Sequence, residues 1–301
     1  LRARAARANV PLWRVEDGFL RSIGLGAMNA PALSLVLDRS GMHFDARAES
    51  DLQTLLQHAE FDRDTLAEAA RLRESIVALG ASKFNLKTDL QQPVTARPGQ
   101  RRILVPGQVE DDAALLCTVG AAYDNLALLE QVRASAPDAW IVYKPHPDVE
   151  AGKRHGALPV ERLAGLVDQV LPGADIARLY GQVDEVHTFS STAGFEALLR
   201  GLPVTTYGSP FYAGWGLTRD HQPLPRRTRR LTLDQLVAGA LLRYARYADP
   251  QQALPCDAWH ALSCLSNPRP PRLAQHPRLL PLLNYTRTML GFGRTLGPLK
   301  D

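Results

Sequence analysis

Lys144 and His146 stand two residues apart, each followed by a proline, directly after the apolar run Trp140-Ile141-Val142-Tyr143. A cation and an imidazole placed together can both donate to an anion, and a phosphate suits such a pair. The run reads as a buried strand of a parallel sheet, and Pro145 and Pro147 cannot continue its ladder. The two donors are therefore expected at the carboxyl end of a strand, where open α/β sheets bind ligands. Taken alone, the stretch also fits a strand end with solvated charges. Two more stretches have the same character. Glu16-Asp17-Gly18 follows the short run from Val10 to Val15 and offers adjacent carboxylates. Its glycine lets the backbone turn sharply and a ligand approach; a turn capped by Asp17 is the other reading. Ser190-Ser191-Thr192 lies between residues 183–188, which read as another buried strand, and a helix-forming stretch with Glu196 in its first turns. Hydroxyls and free N–H groups at a helix start hold anions, and capping accounts for one hydroxyl rather than three.

The elements that must position these groups follow an α/β pattern. Residues 2–8 are helix-prone, 10–15 and 32–38 read as strands, and 41–45 as a turn with a short second strand. Gly24 and Gly26 keep the loop after the acidic pair open. Ser50 is an N-cap candidate for a helix with Leu52, Leu55 and Leu56 on one face, and a second helix runs from Asp64 to Gly80. A polar stretch near 91–100 marks a boundary. Ile103 to Val105 then ends in Pro-Gly and Gln108-Val109-Glu110-Asp111-Asp112, the opening of a nucleotide-binding βα unit without the G-x-G-x-x-G fingerprint. Helices are expected over 124–134 and 163–171, a helical turn at 176–180, and a strand at 204–207. The loop Gly208 to Gly216 carries Phe211, Tyr212 and Trp215, which either shape a pocket wall or plug the sheet end. A last amphipathic helix is expected from Thr232 to about Tyr247. Beyond Pro250 the chain is rich in proline and leucine, without clear period and without evident chemistry.

Composition narrows the classes. The 301 residues carry a net charge of +4 and 45% apolar residues, ample for a core. The densest basic cluster, Arg226-Arg227-Thr228-Arg229-Arg230, reads as a solvated loop or a contact for an anionic surface. No basic and aromatic interleaving points to nucleic acid. Cys117, Cys256 and Cys264 lack metal or redox spacing, so a reducing compartment is the default. No apolar run approaches the roughly 20 residues of a membrane span, and no signal peptide is evident. The chain begins with Leu, and its first residues read as a helix continuing from something earlier, as in a module of a longer protein.

Glu16-Asp17-Gly18, His146-Pro147 and Ser190-Ser191-Thr192 resemble, in the same order, the acidic-Gly, His-Pro and Ser motifs of bacterial GT-B-like sialyltransferases. Longer strings are more specific. Val15-Glu16-Asp17-Gly18-Phe19-Leu20-Arg21-Ser22-Ile23-Gly24-Leu25-Gly26, Gly107-Gln108-Val109-Glu110-Asp111-Asp112, Tyr143-Lys144-Pro145-His146-Pro147-Asp148 and Gly208-Ser209-Pro210-Phe211-Tyr212-Ala213-Gly214-Trp215-Gly216 resemble the capsular polysaccharide β-Kdo transferases of Gram-negative bacteria. The resemblance covers about Leu12 to Pro250. It implies a GT-B-like α/β fold of two Rossmann-like lobes with a cleft between them. Residues 1–95 would be the acceptor-side lobe, truncated at its start, 100–248 the CMP-sugar-binding lobe and 249–301 a tail. The donor would be CMP-Kdo, with no cofactor and no metal at the transfer site. The acceptor would be a Kdo-terminated, phosphatidylglycerol-type lipid at the inner membrane, the protein being cytoplasmic and peripheral to it. A second transferase module and the capsule export machinery are implied partners.

Carried over by position, Asp17 would be the catalytic carboxylate and Glu16 its neighbour. His146 would bind the CMP phosphate and stabilise the leaving group, with Lys144 and Pro147 beside it. Ser190, Ser191 and Thr192 would hold phosphate or donor carboxylate, Glu196 the ribose, and Gln108 and the aromatic loop would frame the cleft. A β-linked product from a CMP-β-sugar retains configuration, which makes Asp17 a nucleophile, with general base as its alternative role. A teichoic-acid-type CDP-polyol phosphotransferase and a non-catalytic capsule assembly or export module are the rivals. Glu-Asp-Gly-Phe argues against the first.

Overall fold

The computed structural model describes residues 7–22, 24, 32–86, 92–119, 124–252 and 254–267. Two sheets organise them. The larger has six parallel strands: β3 (Arg102–Pro106), β4 (Trp140–Lys144), β5 (Gln169–Val170), β6 (Glu185–Thr188), β7 (Val204–Thr206) and β8 (Arg219–Asp220), in the order β5-β4-β3-β6-β7-β8. The chain winds outward from β3 through β4 to β5. It then returns to the other side of β3 and winds outward again. Register pairs Ile103 with Ile141 and with Glu185, and Leu104 with Val142 and with Val186. The apolar runs of the sequence are thus central strands buried on both faces. Ile103, Val105, Ile141 and Tyr143 pack one face with Leu128, Leu129 and Val132. Leu104, Val142 and Val186 face the other way, into a core that continues through Phe19, Leu52, Leu72 and Leu241.

The smaller sheet is antiparallel, in the order β1-β2-β9-β10, from β1 (Arg14–Asp17), β2 (Ser34–Asp38), β9 (Ala245–Ala248) and β10 (Pro255–Cys256). The sequence predicts a Rossmann-like first lobe; the described residues instead pair antiparallel, Asp17 against Leu35 and Val36 against Ala245. The expected strand 10–15 lies further on, so Glu16 and Asp17 are the last residues of β1. The expected strand at 41–45 is a loop gathered by the buried carboxylate of Asp38, which accepts from the amides of Ser40, Gly41 and Asp51.

Helix α1 (Asp51–His58) keeps its expected start at Ser50, whose hydroxyl accepts from the Gln53 amide, while α2 (Arg63–Ala78) starts just before the expected Asp64, capped by Asp62. Helix α3 (Ala113–Val119) was not expected; α4 (Asn125–Ser135) starts at Asp124 as read. Four-residue helices α5 (Pro147–Glu150), α6 (Val160–Leu163) and α7 (Ile176–Leu179) follow. The predicted helix 163–171 ends at once because Val142 and Tyr143 pair with Gln169 and Val170 as β5. Helix α8 (Thr192–Leu199) follows β6.

The predicted helix 232–247 divides. Helix α9 (Leu233–Val237) opens on a Thr232–Gln235 capping box, residues 238–244 form a π-helical stretch, and the chain then extends as β9 along the free edge of β2. A Cβ at Gly239 would lie 2.4 Å from Leu56 Cδ2, so this stretch and α1 are in close contact. Residues that the sequence groups with the second lobe and tail therefore return to the antiparallel sheet. They end in α10 (Ala258–Ser266), which the sequence did not announce. Residues 268–301 of the tail, the first six residues and Gly26 lie outside the described set.

Candidate functional site

The strand order places a topological switch between β3 and β6. Their chains leave the sheet in opposite directions there, which opens a crevice at the carboxyl ends. Gln108 leaves β3 at this point and Ser190 leaves β6. The buried Gln108 side chain joins them: its Nε2 donates to Ser190 Oγ at 3.2 Å, and its Oε1 accepts from Thr188 Oγ1 and Ser190 N, both at 3.1 Å. Its backbone is held in turn by Asn125, whose Oδ1 accepts from Gln108 N and whose Nδ2 donates to Gln108 O. Gln108 therefore sets where Ser190 stands. Ser191 caps α8 by accepting from Ala193 N, and Tyr212 Oη donates to its carbonyl at 2.6 Å. A Cβ at Gly194 would lie 2.2 Å from that same Tyr212 oxygen, so only glycine admits the tyrosine there. Ser190, Ser191 and Thr192 are half-buried at the head of an eight-residue helix.

His146 stands at the neighbouring exit, after β4. Its Nδ1 accepts from Asp148 N at 3.1 Å, which puts the ring proton of the neutral form on Nε2, as a donor. Burial, with the positive charges of Lys83, Lys144 and Arg154 added, holds its pKa down at about 3. The imidazole is thus neutral at ordinary pH. Gly107 lies against this turn: a Cβ there would meet Tyr143 Oη at 2.8 Å and His146 N at 3.1 Å. Lys144 is buried, donates to Pro145 O and pairs with Glu150 at 3.4 Å, and burial lowers its pKa. Its charge reaches His146, while its ammonium is engaged on the protein's own groups. Pro147 opens α5 and fixes the turn.

The acidic pair approaches from the smaller sheet. Gly18 N donates to Ser34 O at 2.8 Å, and a Cβ at Gly18 would fall 2.3 Å from Ser34 Oγ. The glycine expected to admit a ligand in fact admits β2. Arg21 Nε donates to Asp17 Oδ2 at 2.5 Å, leaving Oδ1 without a protein partner among the described residues. Beyond Arg21 the loop is tied to the segment after α2: Ser22 N donates to Lys83 O, Gly24 N to Phe84 O, and Asn85 Nδ2 to Ser22 O. The Phe84 ring then bridges the walls. Arg21 lies over it at 5.6 Å, Lys83 Nζ at 5.4 Å, and the His146 ring meets it edge-on at 5.8 Å. Crowding by surrounding chain raises the Glu16 pKa, with Asp17 and Asp112 adding like charge against the opposing pull of Lys83. The side chain itself stays accessible, as at the mouth of a cleft.

Three expectations change. Glu196, expected at a ribose, is buried with both oxygens engaged: Lys83 N donates to Oε1 at 2.6 Å and Tyr180 Oη to Oε2 at 2.9 Å. It ties α8 to the segment that carries Lys83 and Phe84. The aromatic loop forms no pocket wall, since Phe211, Tyr212 and Trp215 are core residues, with Trp215 and Tyr212 fully buried. The basic cluster is neither a solvated loop nor an open anion contact throughout. Arg227 is buried, donates to Pro210 O and Ala213 O, and lies 5.6 Å from the Trp215 ring centroid. Arg226 and Arg229 donate to carbonyls of residues 46–59. Sequence reasoning overlooked Lys83 and Arg21. Arg21 was in the string singled out, four residues past Asp17, and Lys83 follows the glycine that ends α2.

Similarity to known proteins is extensive. The family described as "Capsule polysaccharide biosynthesis protein" matches residues 1–80 and 62–248. A capsule polysaccharide modification protein LipA of Neisseria meningitidis serogroup B is 46% identical over 248 residues, covering 82% of this chain and 35% of that protein. A lipopolysaccharide-processing protein LpsZ of Rhizobium meliloti is 41% identical over 264 residues, 87% of this chain and 60% of that protein. The chain thus spans less than two thirds of either curated relative. Two solved structures of Thermosulfurimonas dismutans KpsC superpose well. The beta Kdo 2,4 transferase gives a TM-score of 0.78 at 32% identity, covering 88% of this chain and 83% of that one. The beta Kdo 2,7 transferase gives 0.72 at 38% identity, covering 88% and 82%.

Proposed function

This chain belongs to the capsule polysaccharide biosynthesis family, and on that premise we propose that it is a glycosyltransferase module that moves β-Kdo from CMP-Kdo onto a Kdo-terminated, phosphatidylglycerol-type lipid. The two sheets take the parts of the two GT-B-like lobes, with the transfer cleft where β1 faces the exits of β3, β4 and β6. The observation that carries this reading is the position of Asp17. Its carboxylate is held by Arg21 at the end of β1, and the Phe84 ring connects Arg21 to His146.

In the proposed reaction, Asp17 Oδ1 forms a bond to the anomeric carbon of Kdo as that carbon's bond to the CMP phosphate oxygen breaks. The leaving phosphate carries the electron pair and takes on the negative charge that the Asp17 carboxylate gives up. His146 Nε2–H donates to it, Lys83 and Arg154 supply positive charge, and the head of α8 with Ser190 to Thr192 holds the phosphate or the sugar carboxylate. The acceptor hydroxyl then attacks the same carbon and the Asp17 carboxylate departs. Glu16 takes the hydroxyl proton, a task suited to a carboxyl whose affinity for protons is raised. Two inversions give retention. No described helix is long and apolar enough to cross a membrane. In this reading the lipid acceptor is met from a peripheral position at the inner membrane.

CMP release from CMP-Kdo generated in situ, with a synthetic Kdo-terminated lipid, tests the proposal. Wild type is expected to release CMP and extend the lipid, and Asp17→Asn to do neither. Turnover of CDP-glycerol with none of CMP-Kdo would make the chain a polyol-phosphate transferase instead.

A further inference from the structure

The edge of the antiparallel sheet opposite β1 holds a cluster that the transfer reaction does not use. Asp249 follows β9, Cys256 ends β10, and His260 and Cys264 lie on α10. His260 and Cys264 are four residues apart, so both project from one face of the helix, one turn apart. One ligand atom each from Asp249, His260 and Cys264 lies within 4.8 Å of the other two. We infer that Asp249, His260 and Cys264 form a zinc site.

The chemistry selects the metal. A thiolate, an imidazole and a carboxylate are a soft and borderline donor set, suited to zinc rather than to calcium or magnesium. The ligands are also supported as zinc ligands usually are. Asp249 is buried, and its Oδ1 accepts from Gln251 N at 2.7 Å and Gln252 N at 3.1 Å, which aims Oδ2 at His260. His260 Nε2 and Asp249 Oδ2 stand 2.8 Å apart. Asp257 caps α10 by accepting from His260 N at 2.7 Å, fixing the turn on which the imidazole sits. Metal binding breaks the hydrogen bond that His260 Nε2–H donates to Asp249: the imidazole shifts to its Nδ1–H tautomer so that Nε2 and Oδ2 each bond zinc, and the Cys264 thiol gives its proton to solvent. The sequence hid the site because its ligands come from a strand exit and a helix rather than from one closely spaced Cys motif.

Such a site would fasten α10 to the β9–β10 edge. It would add to what holds the helix there now: Ala258, Ala261, Leu262 and Leu265 in the core and Trp259 Nε1 on Glu68 Oε1 at 3.2 Å. The test is cobalt titration of the metal-stripped chain, with zinc-dependent melting beside it. Wild type is expected to bind one equivalent of cobalt with tetrahedral d–d bands and thiolate-to-cobalt charge transfer, and to melt at higher temperature with zinc. Cys264→Ser and His260→Ala each should weaken binding at least about tenfold, the scale on which losing even a supporting contact acts, and should lose the zinc-dependent melting shift. Cys117→Ser, which leaves all three ligands in place, is expected to behave as wild type and controls for nonspecific thiol binding. Absence of the bands in wild type would overturn the assignment, as would their persistence in a Cys264→Ser, His260→Ala double variant. A Cys256–Cys264 disulfide in protein isolated with its thiols blocked would overturn it too.

Discussion

Replacing Glu196 separates a structural strut from a donor contact. Its carboxylate accepts from Lys83 N at 2.6 Å, a part-buried bond, and from Tyr180 Oη at 2.9 Å, a buried one. In Glu196→Ala the Lys83 amide loses its acceptor, which costs about 1–3 kcal/mol for an unsatisfied buried donor. Tyr180 loses less, because its hydroxyl also donates to Ala193 O at 3.0 Å. With the cavity left by the side chain, the total is about 2–4 kcal/mol. Glu196→Gln keeps one oxygen for Lys83 N and should cost about 0.5–1.5 kcal/mol. Urea unfolding reads both values as shifts of the midpoint at constant slope. CMP titration in the folded range should give affinities within about threefold of wild type for both variants, a spread of under 1 kcal/mol. A Glu196→Gln protein with an unchanged urea midpoint and CMP affinity lowered tenfold or more would refute the strut and return this residue to the ribose.

Other perturbations follow from the same packing. Gly18→Ala places a methyl 2.3 Å from Ser34 Oγ, which itself donates to Leu20 O at 2.6 Å. It should cost about 1–3 kcal/mol by overpacking and reduce transfer by displacing Asp17; unchanged kinetics would contradict the placement. His146 has its pKa lowered to about 3 from 6.5 by burial and neighbouring cations, so the folded state takes up its proton later than the unfolded state does. Its contribution is complete above pH 6.5 and is lost as pH falls through the interval down to about 3. Measured stability should therefore fall more gently in His146→Asn than in wild type, by up to about 1.4 kcal/mol per pH unit. Equal slopes would deny that the imidazole is buried neutral. Arg227→Ala removes the donor shared by Pro210 O and Ala213 O and should cost about 2–4 kcal/mol, seen as a lowered melting temperature. A loss below about 0.5 kcal/mol would restore the solvated loop, since exposed substitutions stay within that range.

The parallel sheet was legible where its strands are buried on both faces and so appear as uninterrupted apolar runs, at 103–105 and 140–143; β6 carries the buried Glu185 and His187 in place of such a run. Helix starts at Ser50 and Asp124 were legible because capping is local chemistry. What could not be read depends on partners far away in the chain. Ala245 to Ala248 leaves a helical pattern for a strand only because the edge of β2 is there to pair with. Arg227 looks solvated among four arginines, yet two carbonyls and an indole receive it. Glu196 looked like a donor contact in the first turns of a helix; Lys83, more than a hundred residues earlier, claims it instead. The site groups were legible by type and by their place at strand exits. Which of them face the cleft and which hold its walls was decided by these long-range bonds.

The most direct measurement is intact-mass and peptide spectrometry of the chain incubated with CMP-Kdo in the absence of acceptor. Transfer through Asp17 predicts one added Kdo residue on the peptide that contains Asp17, absent in Asp17→Asn and discharged when the lipid acceptor is added. CMP release and product formation with no adduct in wild type, and transfer retained in Asp17→Asn, would contradict Asp17 as the group that carries the sugar.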